Sequence, residues 1–389
     1  MVLPLVLIFF ATAAAALVAY GVHPDLAQYA NGLALIVLSR RLMWPAVVLS
    51  LALCISLLGL VISGKRRAWW LIGLAPVLAL FVHRFRPGAP GPSAVVEQPT
   101  FVRTDMPGAP EAGDYVVGFS FEGKDYALPY RALFVTPVVS ITDYDKRMLL
   151  IWSAFANRAT AVEVARGEMK ARDLEVVSSP ANSLLVYDKR LGQFICGVTG
   201  RRTDGSAVVG FGAPISTEKT TWATWKAQHR ETLVMLPVGK PGAIAAAPTR
   251  PILPQYKLRI PPEPDPATPV ALLATTRPAA ISTTVERSRD PLNVSVGGTR
   301  IVMLHDRAGT LRAFDRHATE DLFLSFSAKS DRKHPEVAMT DADTGSVWTA
   351  DGHAIDGPLK GTKLREIELD DGLYWGVMKH WYPELELVR

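Results

Sequence analysis

The sequence predicts a mainly-β protein: a duplicated β-rich module with a short lid helix in each half, carried on an N-terminal all-α membrane anchor of about three transmembrane helices. Three observations predict it. The first 86 residues hold uncharged apolar runs long enough to cross a bilayer core. Later apolar runs are short, rich in Val, Ile, Phe and Trp, and broken by Gly-Gly, Asp-Thr-Gly and Gly-Pro, the grammar of a β-meander. Finally, one fixed lag (300 − 147 = 153) pairs Arg147 with Arg300, Asp188 with Asp341, Gly192 with Gly345, Trp222 with Trp375, Lys226 with Lys379 and Glu231 with Glu384, which is how an internal repeat reads.

Length and composition bound the alternatives. A chain of 389 residues exceeds a single core, so two soluble units plus an anchor is the expected division. The net charge of +5 is scattered rather than gathered in a stripe, so nucleic acid is not expected as a partner. Cys54 and Cys196 are the two cysteines; one lies in an apolar run and one in the soluble part, too few for structural zinc or an iron–sulfur cluster.

The anchor is expected over residues 1–86, with spans at about 2–20, 43–63 and 68–84. Val2 to Tyr20 lacks the basic leader of a signal peptide. Gly64-Lys65-Arg66-Arg67 makes a tight turn between the second and third spans, and Trp44, Trp69 and Trp70 sit near run ends, where indoles favour the interface. Asp25 to Ser39 reads as an interfacial helix or a loop. Lys65, Arg66 and Arg67 fall on one side, against Arg40, Arg41, Arg84 and Arg86 on the other. By count, this slightly favours a cytoplasmic C-terminal part.

Two Pro-rich spacers, 87–113 and 237–278, frame a first β-rich repeat at 114–236 and a second at 279–389. In each, an apolar run (Arg147 to Trp152; Arg300 to Leu304) leads by a turn into a second (Ala159 to Val164; Thr310 to Phe314). A central strand follows, then a turn at Gly192 or Gly345, and a strand that points Phe194-Ile195 or Val347-Trp348 inward. Trp222-x-x-Trp225-Lys226 and Trp375-x-x-Met378-Lys379 have the i, i+3 spacing of a short helix laid over a sheet. Thr232 to Leu236 and Glu384 to Val388 read as last strands.

These residues carry a family resemblance. The second unit resembles the bacterial domain-of-unknown-function family 3179 in Asn293, Val296-Gly297-Gly298, the run Arg312 to Arg316, Asp343-Thr344-Gly345-Ser346-x-Trp348, and the block Gly352-x-Ala354-x-x-Gly357-Pro358-Leu359-x-Gly361 with Trp375. The first unit is similar in Tyr126 to Arg131, Asn182-Ser183, Tyr187-Asp188-Lys189 and Trp222-x-x-Trp225. The resemblance implies two linked halves, an export or anchoring signal, and so a bacterial inner-membrane, multi-pass protein whose soluble part is extracytoplasmic. That overrides the charge count. It implies no reaction. Typical members carry Tyr-Cys-Pro-x-Cys-Gly, which looks like a metal or redox site. Here the aligned run is Trp152-Ser153-Ala154-Phe155-Ala156-Asn157, and a His-Glu-x-x-Asn pattern upstream becomes Thr136-Pro137-Val138-Val139-Ser140. The first unit therefore reads as a version stripped of soft ligands.

Motif chemistry is thin. Asp341-Ala342-Asp343-Thr344-Gly345 puts Gly one position too early for an EF-hand and reads as an Asx-type turn. Gly118-Phe119-Ser120-Phe121-Glu122-Gly123 lacks the second Gly of a nucleophile elbow and reads as a strand with a turn. No catalytic residue, metal ligand or cofactor is assigned. His305, Asp306, Asp341, Asp343, His353, Trp348 and Trp375 are the candidate ligand-binding residues. Trp222, Trp225, Trp375 and Trp381 read as core anchors under the lid helices, with a ligand groove as the alternative. The expected function is a membrane-anchored envelope protein with a duplicated β-rich binding or scaffold module whose biochemical activity is unassigned, with a non-enzymatic role favoured over an enzymatic one. Its partners are the lipid bilayer and a membrane or envelope protein. The alternative is a metal-dependent enzyme, or a metal-binding protein, that uses the second unit's His and Asp residues.

Overall fold

The computed structural model describes residues 2–21, 31–85, 95–104, 106–165, 167–238, 247–248, 264–273, 279–282, 290–296, 298–306, 311–319, 322–328 and 337–388. The start of the Asp25 to Ser39 segment and most of both Pro-rich spacers lie outside them.

Three helical segments are long and apolar enough to cross a membrane: α1 (Val2–Tyr20), α2 (Gly32–Ile62), and a 3-10 turn (Ala68–Leu74) running into α3 (Ala75–Phe85). The helices pack as an antiparallel set. Ser50 Oγ donates to the Ala11 carbonyl at 2.9 Å, and the Tyr20 and His83 rings lie 5.5 Å apart. Trp44, Ile55, Ile62, Ile72 and Leu78 stay exposed on the outside, as lipid-facing side chains must. The second segment differs from expectation. α2 starts at Gly32, not near Met43, and continues through Ser39, Arg40, Arg41 and Pro45 without a break. Its 31 residues extend about 46 Å, well beyond a hydrocarbon core of about 30 Å.

The first soluble unit holds three sheets. One orders β1 (Val95–Glu97), β5 (Val138–Asp143), β6 (Lys146–Ser153), β7 (Arg158–Val164) and β12 (Phe211–Ile215). A meander of β8 (Leu174–Ser178), β9 (Leu185–Asp188), β10 (Gln193–Cys196) and β11 (Arg201–Arg202) packs against it. The third sheet runs β13 (Glu218–Thr221), β3 (Tyr115–Phe121), β4 (Lys124–Pro129), β14 (Leu233–Met235) and β2 (Phe101–Arg103). Helix α4 (Trp222–Gln228) joins β13 to β14. The β3–β4 turn falls at Glu122 and Gly123, both at positive φ, as read from the sequence.

The second unit holds β15 (Pro269–Leu273), β16 (Ala279–Ser282), a three-stranded β17 (Leu292–Val296), β18 (Thr299–His305) and β19 (Leu311–Asp315), then a small β20 (His317–Thr319) and β21 (Leu322–Phe323). A meander of β22 (Phe326–Ala328), β23 (Val337–Asp341), β24 (Val347–Thr349) and β25 (Ala354–Asp356) follows. Then come β26 (Leu369–Tyr374), α5 (Trp375–Trp381) and β27 (Glu386–Val388). The sheets under the two lid helices share one pairing scheme. β13 is antiparallel to β3, β3 to β4, and β14 parallel to β4. β26 is antiparallel to β15, β15 to β16, and β27 parallel to β16.

Spacer boundaries need correction. β1 and β2 lie within 87–113, and β15, a central strand, lies within 237–278. Pro269 opens β15, where its missing N–H is tolerated. A Pro-rich composition thus concealed a strand.

Candidate ligand site at the seam between the two units

Few of the sequence-named residues meet. Asp341 is 1 % exposed and accepts from the Trp348 indole at 2.8 Å and from the Thr344 amide at 2.6 Å. It closes a turn and anchors a core indole. Asp343 accepts from the Ser325 amide at 2.7 Å. Trp348 and Trp375 are both buried, but in different apolar clusters. His305 ends β18, Asp306 faces Arg312 at 3.4 Å, and exposed His353 bridges to Lys363 through the backbone. Among the described residues, no group of three or more His, Cys, Asp or Glu is placed to hold a metal.

A denser constellation lies where the units meet. After β6, the chain makes a 3-10 turn through Ala154–Ala156, and Asn157 takes the left-handed conformation (φ 49°, ψ 38°), which Asn tolerates better than most residues. Asn157 then has three partners. Its Oδ1 accepts from the Tyr130 hydroxyl at 2.6 Å, its Nδ2 donates to the Gly372 carbonyl at 3.0 Å, and its own carbonyl accepts from Lys219 Nζ at 2.6 Å. Burial pushes the Tyr130 phenol above its usual pKa, so it remains a donor.

Lys219, whose side chain is 5 % exposed, also reaches Asp370 at 2.5 Å. The Arg158 guanidinium pairs with the same carboxylate. Two cations, a buried lysine and a half-buried arginine, therefore share one carboxylate. Burial, and then the charge of Arg158, hold Lys219 well below the usual lysine range, with Asp371 opposing. Burial also lowers Arg158, yet an arginine side chain stays charged in proteins, so the cost of crowding two cations falls on the Lys219 ammonium.

Two cavities flank this seam. One, of about 580 Å³, lies among Arg158, Arg201, Glu368, Tyr382, Phe211 and Leu272. The other, of about 570 Å³, lies among Lys219, Glu218, Arg312, Glu366 and Asp371. Asp370 borders both. In the second, burial raises the Glu218 carboxyl, against the opposing charges of His229 and Arg312. Asp306 enters its wall indirectly, through Arg312, which also holds Glu366 at 2.9 Å. Sequence reasoning missed Asn157, Arg158, Lys219 and Asp370. The one available signal was charge placed inside strand-forming runs.

The run Trp152 to Asn157 forms the floor of this seam. Ser153 Oγ accepts from the Leu184 amide at 3.0 Å. Ala156 sits with Cys196 in an apolar cluster that includes Val270, Leu373 and Met378 of the second unit. A soft metal does not fit there. Ser153 is committed to the backbone, Ala156 has no donor atom, and Cys196 faces Ser183 at 3.1 Å.

Fold and seam together define a class: a mainly-β protein with three N-terminal helices long and apolar enough to cross a membrane, and with charged groups gathered where its two β-rich parts meet. More particularly, residues 92–385 match the family described as a protein of unknown function, DUF3179, and the chain belongs to that family. No curated protein and no solved structure matches the chain.

Proposed function

We propose that this is a membrane-tethered binding module of the cell envelope, with its ligand held between two copies of one β-rich unit. The carrying observation is the pair of cavities of about 580 and 570 Å³ that share Asp370. Buried ionic groups cost several kcal/mol to desolvate, and a titratable group perturbed by burial and a specific charge partner beside a cleft is a mark of a functional site. The duplication is supported by the common strand pairing under α4 and α5 and by the recurrence at one lag. The first cavity combines an apolar wall, Leu272 and Phe211, with the Arg201 guanidinium, which suits a small amphipathic anion such as a short acyl carboxylate. Hexanoate should stabilise the detergent-solubilised chain by up to about 2.7 kcal/mol at a hundredfold excess over Kd, read as a rise in its thermal midpoint. Arg201→Ala should abolish the rise, since the exposed Arg201 makes one side-chain bond, to the Gly205 carbonyl at 3.3 Å. No rise, or one indifferent to Arg201→Ala, would reject this ligand class.

An extracytoplasmic location of the soluble part is supported by how two arginines are used. Arg40 pairs with Glu175 at 2.7 Å and Arg41 lies over the Phe194 ring, so contact with the soluble unit accounts for both. Arg84 and Arg86 then remain against Lys65, Arg66 and Arg67, which favours the Lys65 turn as the cytoplasmic one. Alkaline phosphatase fused after Arg389 should be active in cells; activity only from a cytoplasmic reporter would reverse the assignment.

A further inference from the structure

Helix α2 does more than span. Ile36 is fully buried in a cluster with Leu185 and Phe194, bordered by Leu33, Val37, Val177 and Tyr187. Arg40 reaches Glu175 and lies 4.9 Å from the Tyr187 ring centre, while Arg41 lies 5.9 Å from that of Phe194. Glu175, Tyr187 and Phe194 are directly opposite one another across β8, β9 and β10. One rung of the meander is thus level with Arg40 and Arg41, and the rungs carrying Val177 and Leu185 are level with the helix start. Moving along α2 toward the bilayer is therefore moving along the meander toward the β9–β10 turn.

That turn lies beyond the Arg40 level. From Leu42 onward α2 is apolar, and Trp44 and Val48 are exposed, which places the hydrocarbon boundary close to Arg41. The strand ends at Asp188 and residues 189–192 form the turn, so the backbone advances one or two strand-length steps past Tyr187, about 3–7 Å at 3.3 Å each, and the exposed side chains of the turn reach on into a headgroup layer several ångströms deep. The tip residues match that medium. Lys189, Arg190, Leu191 and Gly192 are all exposed, and Leu191 is a bare apolar side chain at 42 %. Lys170 and Arg172 approach the same end, because Leu174 pairs with Asp188 and the Lys189 amide donates to the Asp173 carbonyl. Asp188 is turned inward, accepting from the amides of Arg190 and Leu191 and from Gln193. The surface carboxylates at this end are Glu168, 3.1 Å from Arg190, and Asp173, 3.9 Å from Arg172.

We propose that the β9–β10 tip is a second membrane contact, with Leu191 at the acyl boundary and the cations Lys170, Arg172, Lys189 and Arg190 on the phosphates of anionic lipids. The soluble module is then held at two points, α2 and the tip, and cannot swivel freely about its tether. To test this, Leu191→Cys in the full chain with Cys54→Ser would carry an environment-sensitive fluorophore, with the chain in nanodiscs. Cys196, 1 % exposed, should not compete for label. Discs containing phosphatidylglycerol should give blue-shifted emission quenched by a shallow spin-labelled lipid. Lys189→Glu/Arg190→Glu should weaken that contact by about fivefold or more per charge. Emission equal to that of a water-exposed label would overturn the membrane contact. Quenching indifferent to lipid charge and to the reversal would overturn the assignment of anionic headgroups.

Discussion

At the scale of single residues, the seam is a problem of unequal charge. Asp370 is the carboxylate that Arg158 and Lys219 both contact, so the two kinds of deletion are not equivalent. Lys219→Met leaves Asp370 with Arg158, a balanced pair, and removes an amine that burial already disfavours in its charged form. It is expected to be neutral or mildly stabilising. Asp370→Ala leaves the Arg158 guanidinium without its carboxylate beside the buried Lys219 amine and is expected to cost up to about 3–5 kcal/mol, the penalty of an uncompensated charge. Urea unfolding of the two variants beside the parent chain checks this; a larger loss for Lys219→Met would show that the amine is charged in the folded protein. Little of this was visible beforehand. Asn157, Lys219 and Asp370 belong to different strands and turns, and no spacing rule joins them. By contrast, Asp341 was correctly read as closing a turn, because Asx turns are written within a few consecutive residues.

At the scale of elements, the sequence was most informative where periodicity and punctuation agree. Trp222 and Trp225 lie one helical turn apart and both are buried; the Thr221 hydroxyl caps the helix by accepting from the Thr224 amide. The same logic located α5. It failed on α2, because Ser39, Arg40 and Arg41 interrupt the apolar run while the helix continues, sustained by contacts with a meander far along the chain. It failed on β15, where Pro signalled a spacer. Beneath α4, Gly118 on β3 lies directly under the Trp225 ring, so a Cβ there would fall inside van der Waals contact. The Trp225 indole cannot retreat easily: it donates to Thr232 Oγ1 at 3.0 Å and stacks on His229 at 3.7 Å. Gly118→Ala should therefore cost about 1–3 kcal/mol through overpacking. The measurement is the unfolding midpoint. An unchanged midpoint would mean that the lid helix lifts freely and contributes little to the sheet below it.

At the scale of the molecule, the two units share a boundary that each needs. The Trp381 indole donates to the Ala181 carbonyl at 3.0 Å, and the Tyr382 hydroxyl to the Val198 carbonyl at 3.2 Å. Ser216 meets Glu368 at 2.7 Å, and one apolar cluster draws residues from both sides. Residues whose cores interpenetrate in this way should open together, as one cooperative unit. The combined change Trp381→Phe and Tyr382→Phe removes two part-buried hydrogen bonds, at a cost of about 0.5–1.5 kcal/mol each. Hydrogen exchange offers a reporter in each half: the Leu150 amide in β6, and the Val302 amide in β18, both fully buried residues distant in sequence from the substitutions. If the units are coupled, protection at Leu150 falls by the same factor as at Val302, roughly fivefold to 150-fold for about 1–3 kcal/mol in all. A loss confined to Val302 would show that the halves open separately, and the seam would then be a flexible contact rather than a built site. Equal losses would make the cleft a fixed feature of the fold, held open at a set width by both units, which is what a pre-formed ligand site requires.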